Sequence, residues 1–299
     1  MANFIRSTIL DARTMGTEVF TLDLPVNPIS HLILTVEGYN ATNEATIAEI
    51  LADFNSIRVR HTGVQIIDLE SEDLAALNLY LYGSGGLALA PVATDNQHLS
   101  YSLIIPFGRS LYNAEECFPA TRKGEFQLTL DTTTPATTHD NAVMSVSAVE
   151  LPDATPASYL KSTILSIAAP GATGENDVDL PIGNDLAAVL IGMASFPGTS
   201  EFLFGADDLR LLVDNKEMNI VSSKAPELAG EMITRVSGTT RATAAQGGLI
   251  PNTYIWMDFD PTQDGSYMVD TRGASRVHLR LNMGVNEALN IVPVEIVQV

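Results

Sequence analysis

The sequence predicts an all-β protein built as two tandem eight-stranded antiparallel jelly-roll barrels, made by internal duplication, with one short helix in each. Three observations predict it. A set of short segments recurs in the same order in the second half of the chain. Each half carries eight strand-like runs, several alternating apolar and polar as a sheet with one buried face requires. Helices at the spacing of a parallel βαβ sheet are missing, which leaves antiparallel pairing.

The repeat opens at the first strand, where FIRSTIL over Phe4–Leu10 returns as YLKSTIL over Tyr159–Leu165. DLPV at Asp23–Val26 returns as DLPI at Asp179–Ile182, and each leads into an apolar run, HLILTV from His31 and AVLIG from Ala188. SIRVRHTGVQIIDL from Ser56 answers DLRLLVDNKEMNIV from Asp208. The turn pairs at their centres, Thr62-Gly63 and Asp214-Asn215, predict a hairpin in each. A helix signal follows. Ser71 is placed as the cap of a segment with Glu72 and Asp73 in its first turn and Leu74, Leu77 and Leu81 on one face; in the second copy Ser223 leads into Pro226, Leu228, Met232 and Val236. Three runs close each copy, YSLIIPF, EFQLTLD and VMSVSAVEL in the first, TYIWMDF, RVHLRLN and LNIVPVEIV in the second.

In the first half the strands are expected at 4–10, 17–24, 30–37, 56–61, 64–69, 100–107, 125–131 and 142–151. Alternation is cleanest at Phe126, Leu128 and Leu130, and at Val277, Leu279 and Leu281. The seam falls in LPDATPAS, Leu151–Ser158, where two prolines and small residues have the composition of a linker. The expected modules are therefore 1–152 and 159–299, joined by 153–158.

At 299 residues the chain has room for two domains of ordinary size. Hydrophobic residues at 45% against 17% charged exclude a disordered chain. Sixteen basic against 36 acidic residues give a net charge of -20 with no Lys/Arg cluster, so direct packing on nucleic acid is not expected. The single cysteine, Cys117, offers neither an intramolecular disulfide nor a thiolate zinc site and suits assembly in a reducing cytoplasm. MANFIRSTIL lacks the pattern of a signal peptide and no run reaches the length of a membrane-spanning helix, so neither export by that route nor bilayer insertion is expected. The sequon Asn40-Ala41-Thr42 reads as chance.

No residue is assigned a catalytic, cofactor-binding or metal-binding role. His31, His61, His98, His139 and His278 are scattered without an HxH or HExxH set, which speaks against a duplicated cupin metal site. Asp258-Phe259-Asp260-Pro261-Thr262-Gln263-Asp264-Gly265 alternates carboxylates as a calcium loop does, yet lacks the bidentate Glu and reads as a strand-to-strand turn. Glu115-Glu116 and Asp207-Asp208 are adjacent pairs, a spacing that does not set two carboxylates across a glycosidic bond. Gly83-Ser84-Gly85-Gly86 and Gly247-Gly248 read as loop flexibility and not as phosphate cradles. Trp256 and Tyr254 read as core and interface aromatics, with a sugar platform as the competing use.

Two tandem eight-stranded barrels, a helix after the fifth strand of each, a lone cysteine and a length near 300 residues resemble the double jelly-roll major capsid proteins of tailless icosahedral viruses with an internal membrane, the adenovirus hexon lineage. The resemblance implies a structural shell protein and not an enzyme. It implies a homotrimer with pseudo-sixfold symmetry and contacts to neighbouring capsomers, penton and minor capsid proteins. It further implies a place in the virion capsid after assembly in the host cytoplasm. Some members begin with an amphipathic arm that reaches the membrane. Here the first strand starts near Phe4, so any membrane contact is expected to be indirect or through loops. Residues 38–55, 83–99, 194–207 and 237–252 are the expected long loops. The competing functions are a double jelly-roll glycan amidase, normally secreted, and a carbohydrate-binding or virion spike protein, which would expose an aromatic patch.

Overall fold

The computed structural model describes residues 3–41, 45–89, 96–169, 173–193, 206–218, 220, 222–232, 235–236 and 253–299. The chain divides into two compact units, Met1–Lys161 with Gln298–Val299, and Ser162–Val297.

The first unit runs β1 (Ile5–Thr14), β2 (Glu18–Asp23), β3 (Ile29–Asn40), α1 (Ile47–Ala52), β4 (Phe54–His61), β5 (Val64–Leu69), α2 (Ser71–Tyr82), β6 (Leu87–Leu89), β7 (His98–Pro106), β8 (Phe126–Thr132) and β9 (His139–Glu150). Its two antiparallel sheets have the orders β1-β9-β3-β7-β6 and β2-β8-β4-β5. Cross-strand register sets Leu34 opposite Val146 on one side and Leu103 on the other, and Ile57 opposite Leu130. All five are buried, because side chains of alternate residues point to the same face and both sheets turn their apolar faces inward. Phe107, Phe118 and Phe126 close one end of this core, the last two stacked at 3.9 Å.

After β10 (Ser158–Thr163), the second unit continues with β11 (Leu165–Ile167), β12 (Gly174–Leu180), β13 (Asp185–Met193), β14 (Ala206–Val213), β15 (Lys216–Glu217), β16 (Ser223–Lys224), α3 (Ala225–Glu231), β17 (Tyr254–Asp258), β18 (Val269–Asp270), β19 (Val277–Met283) and β20 (Leu289–Gln298). Its sheets run β11-β20-β13-β17 and β12-β19-β14-β15. Val189, Ile191, Leu209, Leu211, Leu279 and Ile291 lie in its core. Setting aside the short extra strands, both units have the same layout: first beside eighth, third and sixth in one sheet, second beside seventh, fourth and fifth in the other. That is the jelly roll.

Each expected hairpin is present. Thr62 and Gly63 have φ of 48° and 87°, and Asp214 and Asn215 have 49° and 63°, the left-handed pair that matches the twist of the flanking strands. Glycines also recur. A Cβ on Gly38 of β3 would lie 2.5 Å from His139 Nε2, and one on Gly192 of β13 would lie 2.6 Å from the Tyr254 ring, so each strand needs glycine where a ring crosses its backbone.

Several expectations need correction. The first unit holds two helices, not one: α1 lies inside the expected loop 38–55, fixed by a reciprocal cap in which Glu49 N donates to Thr46 Oγ1 (3.2 Å) and Thr46 N to Glu49 Oε2 (2.8 Å). Ser71 does not cap α2. Glu70 holds that position and Ser71 Oγ instead donates to Leu51 O at 2.5 Å, tying α2 to α1. The glycine cluster is not slack either: Gly83, with φ 80°, ends α2 by donating to Leu79 O, and Tyr101 Oη donates to Gly85 O at 2.6 Å. β1 runs on to Thr14, with register shifts at Thr8/Leu10 and Leu10/Arg13 that sequence periodicity does not show. YLKSTIL, the repeat of the first strand's FIRSTIL, is divided between β10 and β11.

Candidate assembly surface

The histidines do not converge. His31 on β3 is buried, its Nδ1 3.0 Å from Ser30 Oγ and its ring edge-on to Tyr112 at 5.2 Å. Burial, with Arg6 adding to it, holds the His31 pKa down at about 4. His61 packs on Phe118 at 5.4 Å and His98 on Tyr39 at 5.4 Å. His139 Nδ1 sits 3.1 Å from Asp53 Oδ2, a buried bond that fixes the start of β9 to the end of α1. His278 is buried 3.7 Å from Asp177 and is held below the usual imidazole range, first by burial and then by Arg276. Among the described residues no group of three His, Cys, Asp or Glu is placed to hold a metal.

The carboxylates build turns and pairs. In the 258–265 segment, Asp258 pairs with Arg235 at 2.8 Å and accepts from Asp260 N. Asp260 Oδ2 accepts from Gly265 N, and Asp264 Oδ1 accepts from Thr262 Oγ1 and Ser266 N. These are the bonds of stacked Asx turns. Glu116 is buried and grips Arg109, its Oε1 accepting from Arg109 N at 2.5 Å and its Oε2 from Nη2 at 2.5 Å, while Glu115 is exposed. Asp208 binds Arg210 and Ser222; the Asp207 side chain lies outside the described residues. So do Gly247-Gly248, Thr42, the loop 237–252 and most of 194–207. Cys117 is buried, its thiol pushed up to about 11 chiefly by that burial. Asn40 is buried too and its Oδ1 accepts from Ala45 N at 3.1 Å, which removes it as a glycan acceptor. Trp256 and Tyr254 are buried in β17, so neither forms a sugar platform. A cleft of about 300 Å³ between the β1–β2 and β8–β9 connections is lined by Met15, Pro135, His139 and Asn141 among others. Its histidine is already committed to Asp53.

What the units expose is edges and apolar tips. β1 and β2 are edge strands of the first unit and β12 of the second. β1 is half-buried or exposed along its whole length, and its two register shifts protect its free edge from random pairing. Val26 (43% exposed) and Ile182 (49%) occupy the same place in their units, the turn after the second strand. Sequence reasoning aligned DLPV with DLPI and missed that both ends are bare, since a turn leaves no periodicity to read. Among the described residues no helix is long and apolar enough to cross a membrane.

No protein-family model matches the chain and no curated protein matches its sequence. Solved structures do match. The major capsid protein of Sulfolobus turreted icosahedral virus aligns over 99% of this chain and 97% of its own, with a TM-score of 0.71 at 12% identity. The major capsid protein of bacteriophage PM2 aligns over 99% and 98%, with a TM-score of 0.65 at 12% identity. The capsid protein of the virus PBCV-1 aligns over 99% and 94%, with a TM-score of 0.64 at 10% identity. The chain has the double jelly-roll fold from end to end.

Proposed function

We propose that this chain is a major capsid protein, the repeating subunit of an icosahedral virus shell. The observation that carries the reading is the full-length correspondence, 99% of this chain against 97% and 98% of two capsid proteins, with both barrels complete. A fold likeness alone does not fix function. What adds to it is that the candidate chemical residues are spent on turns, cores and ion pairs, while edges and apolar tips stay bare. No observation favours the amidase or the spike reading.

The subunit forms a homotrimer, in which two similar barrels per chain place six around the axis and one repeated heterologous contact closes the ring. Such rings meet neighbouring capsomers, penton and minor capsid proteins, and enclose a genome that this acidic chain does not itself coat. Modules 1–152 and 159–299, joined by 153–158, are the duplicated halves, and assembly takes place in the host cytoplasm. Any contact with an internal membrane is made by loops or by another protein. Light scattering on the purified chain, followed by electron microscopy, tests the reading: a ring trimer with sixfold outline is expected, and a persistent monomer or dimer at high concentration overturns it.

A further inference from the structure

The first strand of the second copy begins in a fitted seat. Tyr159 and Leu160 of β10 belong to the first unit, where Leu160 N donates to Phe107 O (2.9 Å), Cys117 N to Ser158 O (3.1 Å) and Ala157 N to Glu115 O (2.9 Å). Glu116 and Ser158 form a parallel bridge, and the Tyr159 ring packs on Phe118 at 4.9 Å. Leu160 is fully buried there, and Glu116 and Cys117 of the seat are buried as well. The seat is the end of β7 with the connection that follows it.

The same two parts recur without each other. FIRSTIL places Phe4 and Ile5 where YLKSTIL has Tyr159 and Leu160, yet Phe4 is 58% and Ile5 47% exposed. β1 pairs on one side only, with β9, and its register is regular from Ile5 to Thr8, before the two shifts begin. The seat of the second unit is located by its bonds. Phe107 N donates to Ser30 O and Phe259 N to Ala187 O, and Phe118 pairs with Ile29 as Val269 pairs with Leu186. Phe259 therefore stands in the place of Phe107, and Tyr267, two residues before Val269, in the place of Glu116. Phe259 O accepts no hydrogen bond among the described residues. Tyr267 is 59% exposed where Glu116 is 6%.

We infer that residues 3–8 of one copy dock in the bare seat of another copy's second unit, with Ile5 N donating to Phe259 O and Asn3 beside Tyr267; this deepens the capsid reading and rests on it. The occupant is fixed by the chain itself. Duplication made two first strands and two seats, one strand and one seat are joined inside the first unit, and one of each is left over. Two unlike faces that fit each other make a heterologous contact, which repeats from copy to copy and can close a ring. A bare strand edge beside exposed apolar residues invites pairing unless something covers it, and the buried Leu160 marks the cover that this strand takes. Pairing β1 with the β1 of a second copy would cover the edge but leave the seat at Phe259 empty.

The test is a disulfide between copies of the full-length chain carrying Asn3→Cys and Tyr267→Cys, the positions that correspond to the bridged pair Ser158 and Glu116 and so stand within reach of an S–S bond. Cys117 is buried and stays out of the reaction. Oxidation should give covalent dimers and trimers on a non-reducing gel, and a mixture of the two single variants should give disulfide-linked heterodimers and nothing larger. Phe4→Ser with Ile5→Ser, both exposed in the subunit, should leave the fold intact and raise the concentration of half-assembly at least about tenfold. A disulfide closed within one chain, or assembly indifferent to the two serines, overturns the inference. Trimers seen by light scattering that form no disulfide also refute it and leave the capsid reading standing, whereas disulfide-linked copies that grow as open chains and never close uphold this contact and overturn the capsid reading.

Discussion

The Asn27 carboxamide donates to Glu150 Oε2 at 2.8 Å, and Asn184 donates to Glu295 Oε1 at 2.7 Å, in the same place of the other unit. In both units the asparagine stands two residues before the residue paired with that glutamate, Ile29 opposite Glu150 and Leu186 opposite Glu295. Both glutamates are buried. A bond at one corner of a barrel, kept in two copies whose surrounding sequence has diverged, is what duplication followed by drift leaves behind.

Removing the donor leaves a buried carboxylate short of a partner. Asn27→Ala and Asn184→Ala should each destabilise the protein by about 1–3 kcal/mol, read as a lowered urea midpoint. At Glu150 Ser7 Oγ also donates, at 2.7 Å. Equal stability of both variants and the parent would show that the corner bond contributes nothing.

Arg109→Met strands the Glu116 carboxylate inside the β7–β8 connection and should cost about 3–5 kcal/mol, whereas Arg109→Met combined with Glu116→Leu should regain most of it. Thermal unfolding of both variants checks the sign. A double variant as unstable as the single one would show that the loop needs the charges themselves.

Gly38→Ala and Gly192→Ala each push a methyl into a ring, at His139 and Tyr254 respectively. Each should destabilise by about 1–3 kcal/mol, and Gly38→Ala with His139→Ala should recover part of the loss. Denaturation midpoints for the parent, Gly38→Ala, His139→Ala and the double variant give the coupling directly.

His31 predicts an acid limit. Its pKa is about 4 when folded and about 6.5 when unfolded, so between these values the unfolded chain holds more protons and stability falls as pH falls. The loss begins near pH 6.5, is complete near pH 4, and is on the order of 3 kcal/mol. Urea unfolding across that window should show a shallower slope for His31→Gln than for the parent; parallel slopes would exclude His31 as the source.

Much of this fold was legible because its signals are local and periodic. Alternation marked β8 and β19, and Thr62-Gly63 and Asp214-Asn215 marked two hairpins that the backbone angles bear out. α1 was hidden although its capping box, Thr46 with Glu49, stands in plain sight, since six residues show too little periodicity to separate a helix from a loop. Ser71 misled for a different reason: a hydroxyl beside a helix start has several acceptors in reach, and the choice of Leu51 O over capping depends on α1 being there. The open seat of the second unit was out of reach altogether. Glu116 and Tyr267 stand in connections of unlike sequence, and only the pairing of Ile29 with Phe118 and of Leu186 with Val269 sets them in the same place.

Val299 belongs to the first unit, where its N–H donates to Ala157 O at 2.9 Å. On the ribosome the acceptor emerges about 140 residues before its donor, so at roughly 5–20 residues per second it waits on the order of ten seconds. The first barrel therefore receives this backbone bond only when the whole second barrel has been translated. A subunit cut short anywhere in the second half leaves that carbonyl open, so the half that was made first carries in its fold a record that the second barrel has followed it.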